Sequence, residues 1–120
     1  MNLHTLVIGA STNPDRYSFK AITSLVQHGH SVKALGLKPG EVEGVVFDTE
    51  QVSYSGIDTV TLYVGPQNQS SYYDYIESLN PKRVVFNPGT ENEAFETRLQ
   101  DKGIEAVEAC TLVMLNTCQY

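Results

Sequence analysis

Leu6-Val7-Ile8-Gly9-Ala10-Ser11-Thr12-Asn13-Pro14-Asp15-Arg16-Tyr17-Ser18-Phe19-Lys20-Ala21-Ile22, the heart of residues 4–22, decides how this chain is read. Three consecutive apolar residues, Leu6 to Ile8, fit a strand buried on both faces, as in a parallel sheet. The run breaks at Gly9 into small and polar residues, and helical spacing begins near Tyr17 or Ser18. Strand, tight turn and helix in this order aim backbone N–H groups and the positive end of a helix at one point, which suits a phosphate. A nucleotide-like ligand is therefore expected above Gly9.

Downstream, Phe19, Ile22, Leu25 and Val26 recur at helical spacing, and Gly29 stands where a left-handed cap ends a helix. Ser31 to Leu37 carries the next apolar stretch, so a strand-helix-strand unit closes within about thirty residues. Lys38-Pro39-Gly40 reads as a turn, Val45-Val46-Phe47 as a short third strand at an edge, and residues 48–57 as a weakly patterned segment. Val60 to Val64 is a strand that stops at Gly65-Pro66, where proline suits a helix start. Tyr72, Tyr75 or Ile76, and Leu79 mark the buried face of the following helix, which Asn80-Pro81 ends.

Arg83 to Phe86 is the next strand, broken by Asn87-Pro88-Gly89. Thr90-Glu91-Asn92-Glu93 reads as a capping box with Thr90 as the cap, and Ala94, Phe95 and Leu99 as the inner stripe of its helix. Ile104 to Val107 is a last strand, followed by Cys110 and an apolar tail, Leu112 to Leu115, with no assigned form. The alternation predicts an α/β fold: one doubly wound, Rossmann-like domain over residues 1–120, with a mainly parallel five-stranded sheet in the order 3-2-1-4-5.

A net charge of −6 argues against a general nucleic-acid binder, which needs a basic face. It leaves room for a small phosphorylated ligand, which a few backbone donors and one or two cations decide locally. No apolar run reaches the roughly 18–20 residues needed to span a bilayer, and no secretory leader pattern is present, so the expected location is cytoplasmic. Cys110 and Cys118 read as thiols.

Four strand ends that share one edge of a parallel sheet keep the backbone bare: Gly9-Ala10-Ser11, Gly36, Gly65-Pro66 and Asn87-Pro88-Gly89. Where the strand order reverses, such loops part to form a crevice. The glycine loop lacks the second and third glycines of a dinucleotide fingerprint. The second strand ends in Gly36-Leu37-Lys38 where an NAD site places an acid for the ribose hydroxyls. A lysine there favours a phosphorylated ribose, as in NADP or coenzyme A.

These features together resemble a known family. The run Leu6 to Pro14, the Gly29-His30-Ser31-Val32-Lys33 entry to the second strand, Asp58-Thr59-Val60 leading to Gly65-Pro66, Asn87-Pro88-Gly89-Thr90-Glu91 and Cys110 are similar to the small stand-alone CoA-binding domain proteins. Those are in turn similar to the CoA-binding domain of the succinyl-CoA synthetase alpha subunit. The resemblance covers essentially the whole chain. It implies that Gly9, Ala10, Ser11 and Asn13 form a loop over the CoA phosphates, with Arg16, Ser18 and Lys20 as phosphate partners at the helix start. Lys38 is implied near the phosphorylated ribose. Val64, Gly65 and Pro66 are implied on the adenine or pantetheine side, and Asn87, Pro88 and Gly89 along the pantetheine arm. Gly36-Leu37 departs from the Asn-Pro pair usual at the end of the second strand in that family.

No catalytic constellation accompanies these residues. His4, His28 and His30 read as ordinary surface histidines, none has the pattern of a phosphoryl carrier, and Cys110 reads as a buried structural thiol. The expected function is binding of coenzyme A or an acyl-CoA by a non-catalytic carrier, sensor or partner module, without a metal. The expected partner is this small molecule, with a homo-oligomer or a separate partner protein as further options and no nucleic acid or membrane. The alternatives are an NADP-linked oxidoreductase or its remnant, and a vestigial pocket with a protein-interaction role.

Overall fold

The computed structural model describes residues 2–120. Its strands are β1 (Thr5–Ala10), β2 (Val32–Gly36), β3 (Glu41–Val42), β4 (Val45–Asp48), β5 (Thr59–Leu62), β6 (Arg83–Phe86) and β7 (Glu105–Glu108). The helices are α1 (Tyr17–Gln27), α2 (Tyr73–Leu79), α3 (Glu93–Asp101) and α4 (Thr111–Asn116), with two 3-10 turns, Pro66–Asn68 and Ser70–Tyr72, before α2. The sheet runs β3-β4-β2-β1-β5-β6-β7 and is parallel except for β3, which pairs antiparallel with β4.

The α/β, Rossmann-like architecture matches the expectation, but a five-stranded sheet in the order 3-2-1-4-5 does not. Seven strands form, in a different order: an unforeseen strand at Glu41–Val42 joins one side, and the last strand, read in the sequence at Ile104 to Val107, extends the other beyond five. Glu43 and Gly44, both at positive φ, let the chain fold back so that Glu41 and Val42 pair with Val46 and Val45. This hairpin moves Val45–Asp48 off the edge. At the other side β7 pairs with β6.

Apolar runs are buried on both faces of the sheet. Leu6, Ile8, Val60, Leu62, Val84 and Phe86 pack with Ile76 of α2 and with Phe95 and Leu99 of α3. Val7 and Ala34 pack on the opposite face with Ile22 and Leu25 of α1 and Leu115 of α4. Each fully buried side chain of this kind contributes roughly 1.5–3 kcal/mol of transfer free energy.

Helix α1 ends as its sequence predicts. Gly29, at φ +83°, donates to the Val26 carbonyl at 3.0 Å, and His30 N–H donates to that of Leu25 at 3.0 Å, a Schellman closure.

Several local expectations change. Helix α3 is capped by Asn92, whose side chain accepts from Phe95 N–H, while Glu96 accepts from Asn92 N–H at 3.1 Å. Thr90 instead closes the Asn87 turn, its hydroxyl donating to the Asn87 carbonyl at 2.8 Å. Ala94 is exposed, so Phe95 and Leu99 alone form the stripe. The tail after Cys110 is helical, and Cys110 itself is half-buried. His30 has a structural contact: its Nδ1 accepts from Leu3 N–H at 2.9 Å, and its ring meets Tyr120 edge-on. Burial pulls its pKa below the ordinary histidine value.

Candidate functional site

Parallel strands deliver the loops after β1, β2, β5 and β6 to one edge of the sheet. Between them lies a cleft of about 1200 Å³, roomy for a ligand larger than drug-like molecules, whose pockets run to about 1,000 Å³. One wall is the turn between β1 and α1. Gly9 sits at φ +93°, where the pairing of β1 with β2 shifts register. A Cβ at Gly9 would lie 2.9 Å from the Tyr63 carbonyl oxygen, so glycine lets β1 and the end of β5 approach. The 11–16 segment is held by its own polar groups. Ser11 Oγ accepts from Asn13 N–H, Asn13 Oδ1 from Asp15 N–H and the Asn13 carbonyl from Arg16 N–H, at 3.0–3.1 Å.

That arrangement leaves the start of α1 open. Arg16, the N-cap residue, is extended and makes no side-chain capping bond, and no acid lies in the first turn. The N–H groups of the first turn have no intrahelical acceptors, and Tyr17 and Ser18 line the cleft. An anion is the natural partner for such a helix start. Arg16 and Lys38, from opposite loops, are the two cations among the described lining residues.

The Lys38 loop is fixed by packing. A Cβ at Gly40 would lie 2.4 Å from Thr12 Cγ2, and the Gly40 carbonyl accepts from Phe47 N–H at 2.8 Å. The turn after β2 thus folds down onto the turn after β1.

The far wall is lined by uncharged side chains. Val64 and Gly65 after β5, Asn68, Ser71 and Tyr72 around the 3-10 turns, and Pro88, Gly89 and Thr90 after β6 face the cleft. Gln69, fully buried, ties these loops together by donating to the carbonyls of Val64 at 2.9 Å and Thr90 at 2.7 Å. Its Oε1 accepts from Asn92. Tyr63, also lining the cleft, has its phenol pushed up to about 12 by burial, against the pull of the Thr111 and Thr61 hydroxyls.

Of the residues singled out in the sequence, Gly9, Ala10, Ser11, Arg16, Ser18, Lys38, Val64, Gly65, Pro88 and Gly89 line this one cleft. Asn13, Lys20, Pro66 and Asn87 do not. Asn13 shapes the turn, Lys20 lies over the Tyr17 ring at 5.2 Å, and Pro66 starts a 3-10 turn. Asn87 is buried beneath the wall. It donates to Thr61 Oγ1 at 2.6 Å and the Leu62 carbonyl at 2.8 Å, and its Oδ1 accepts from Thr111 N–H at 2.9 Å.

Thr12, Tyr17, Tyr63, Asn68, Ser71 and Tyr72 line the cleft without having been singled out for it. Tyr17 and Thr12 flank the glycine turn and were legible by adjacency. Asn68 and Ser71 carry no local signal and Tyr72 reads as part of a helix's buried face, because their placement in the cleft follows from two 3-10 turns where a regular helix was expected.

A family model described as CoA binding domain matches residues 4–116. Among functionally curated proteins, none matches the chain. The fold is similar to the crystal structure of an uncharacterized protein, with 49% identity, a TM-score of 0.98 and coverage of 100% of this chain and 99% of the other. It is also similar to a hypothetical protein from Pyrococcus horikoshii OT3, with 23% identity, a TM-score of 0.85 and coverage of 94% and 81%. A protein from Thermus thermophilus gives 19% identity, a TM-score of 0.86 and coverage of 99% and 91%. The latter two likenesses speak to fold alone.

Proposed function

The chain belongs to the CoA-binding domain family, and from that premise we propose that the cleft binds coenzyme A or an acyl-CoA as a non-catalytic carrier, sensor or partner module. The observation that carries this reading is the uncapped start of α1 opening, beside Arg16 and Lys38, onto a long cleft whose other wall is lined by uncharged side chains. A ligand with a phosphorylated head and a long uncharged arm matches both halves. The pyrophosphate lies on the Gly9–Ser11 turn and the α1 start, with Arg16 and Ser18 beside it. Lys38 meets the ribose phosphate, and the pantetheine arm follows Val64 and Gly65 toward Pro88 and Gly89. Asn13, Pro66 and Asn87 serve this site by shaping its loops, and Lys20 adds positive charge near the head.

The ionisable side chains of the lining are Asp15, Arg16, Lys38 and the phenols of Tyr17, Tyr63 and Tyr72, with no histidine or cysteine among the described lining residues. Ligand binding stabilises a fold by mass action, by about 2.7 kcal/mol at a hundred times Kd. Thermal-shift measurements with CoA, dephospho-CoA, NADPH, NAD and ATP test the proposal. CoA is expected to give the largest rise and dephospho-CoA a smaller one. A rise with NADPH and none with millimolar CoA sinks it.

A further inference from the structure

The two ends of the cleft differ in charge, and the difference bears on the acyl group. Arg16 and Lys38, with Asp15 as the one lining carboxylate, stand at the α1 and β2 end, which is therefore net positive. At the opposite end Gly89 forms the wall, and its N–H donates to the Glu91 carboxylate at 2.8 Å. A backbone donor that could meet a ligand carboxylate is thus already occupied by one. None of the four ion pairs among the described residues includes Glu91, Glu96 or Glu108. Glu96 follows closely on the same segment, and its pKa is raised by burial and by the Glu108 and Glu91 carboxylates, which places the three acids near one another.

We propose that the cleft selects uncharged acyl thioesters and disfavours those ending in a carboxylate, such as a dicarboxylic acid monothioester, because the Glu91 carboxylate, outside the lining but bonded to the N–H of the lining residue Gly89, sets a negative charge beside the arm end of the cleft. The inference rests on the CoA reading and on the arm running from the Arg16 and Lys38 end toward Gly89. The uncharged hydrogen-bonding groups near that end, Asn68, Ser71 and Tyr72, suit a neutral acyl group without asking for a charge.

Calorimetric titration of the full chain with CoA, acetyl-CoA and succinyl-CoA tests it. Acetyl-CoA is expected to bind about as well as CoA, and succinyl-CoA roughly three- to tenfold more weakly at low salt. The gap narrows as salt rises, since Glu91 is exposed. Glu91→Gln keeps an oxygen that accepts from Gly89 N–H, so the turn persists while the charge is removed. In this variant the gap is expected to shrink at least by half. Succinyl-CoA binding as tightly as acetyl-CoA, or a gap unmoved by Glu91→Gln, overturns the inference while leaving CoA binding intact. Failure of all three ligands overturns the underlying CoA reading and the inference with it.

Discussion

Asn87→Ala separates a residue that holds the wall from one that touches ligand. In the native fold the Asn87 side chain makes three hydrogen bonds from a site only 2% exposed. Alanine leaves Thr111 N–H, at the start of α4, without its acceptor, and removes a donor from the Leu62 carbonyl. Thr61 Oγ1 keeps a partner in Thr111 Oγ1 at 2.8 Å, so its loss is small. Two lost bonds at about 1 kcal/mol each, plus about 1–3 kcal/mol for the desolvation of an orphaned buried N–H, come to about 3–5 kcal/mol. Against a total stability of about 5–15 kcal/mol this is severe.

At about 4 °C per kcal/mol for a domain of this size, Tm is expected to fall by about 12–20 °C in differential scanning calorimetry. The urea slope m should stay unchanged while the midpoint drops. Asn87→Asp adds a pH test. Its carboxylate faces the Leu62 carbonyl, so burial and repulsion raise the pKa of the introduced group in the folded state. The penalty is therefore present above that raised pKa and relieved as pH falls below it, when a carboxyl O–H can donate again. The stability gap to the natural chain should narrow between pH 7 and pH 4. A Tm loss under about 3 °C, together with weakened CoA binding, would refute the reasoning and make Asn87 a ligand contact.

Gly9→Ala and Gly29→Ala form a pair, since both positions have positive φ but only Gly9 faces a close backbone oxygen. Chemical denaturation should show about 1 kcal/mol lost at Gly29 and clearly more at Gly9, about 2–4 kcal/mol; equal losses count against the close-approach argument. Lys38→Ala is expected to weaken CoA about five- to tenfold and dephospho-CoA hardly at all in calorimetric titration, and equal losses remove Lys38 from the ribose phosphate. His30, whose pKa is lowered in the folded state, should destabilise the protein as pH falls through its unfolded value near 6.5, because the unfolded chain takes up the proton first. Denaturation midpoints between pH 7.5 and 5 should fall less steeply in His30→Asn, and parallel curves refute the linkage. Gln69→Ala should lower Tm by several degrees and weaken CoA, since it unties the Val64 and Thr90 loops; an unchanged Tm denies it that role.

The sequence by itself determined the alternation of strands and helices, because Leu6-Val7-Ile8 and Val84 to Phe86 are continuous apolar runs, and Val60 to Leu62 is a β-branched and apolar one interrupted only by Thr61, that a sheet covered on both faces can bury. It also determined where bare backbone would gather, since Gly9, Gly36, Gly65 and Pro88-Gly89 end parallel strands and parallel strands share an edge. Tertiary structure alone decided what lay at a distance or hung on a side-chain partner. Two residues at Glu41 and Val42 are too few to show a period, and they became a strand only because Val45 and Val46 offered a ladder. Asn87 looks in sequence like a member of an exposed turn, yet its amide is drawn inward by Thr61, Leu62 and Thr111, residues separated from it by about 25 positions. Gln69 carried no signal in its own neighbourhood, because its partners Val64, Thr90 and Asn92 come together only when the β5 and β6 loops meet. Short-range spacing encodes which face is apolar, whereas satisfying a buried polar group depends on whichever distant donor or acceptor the fold brings to it.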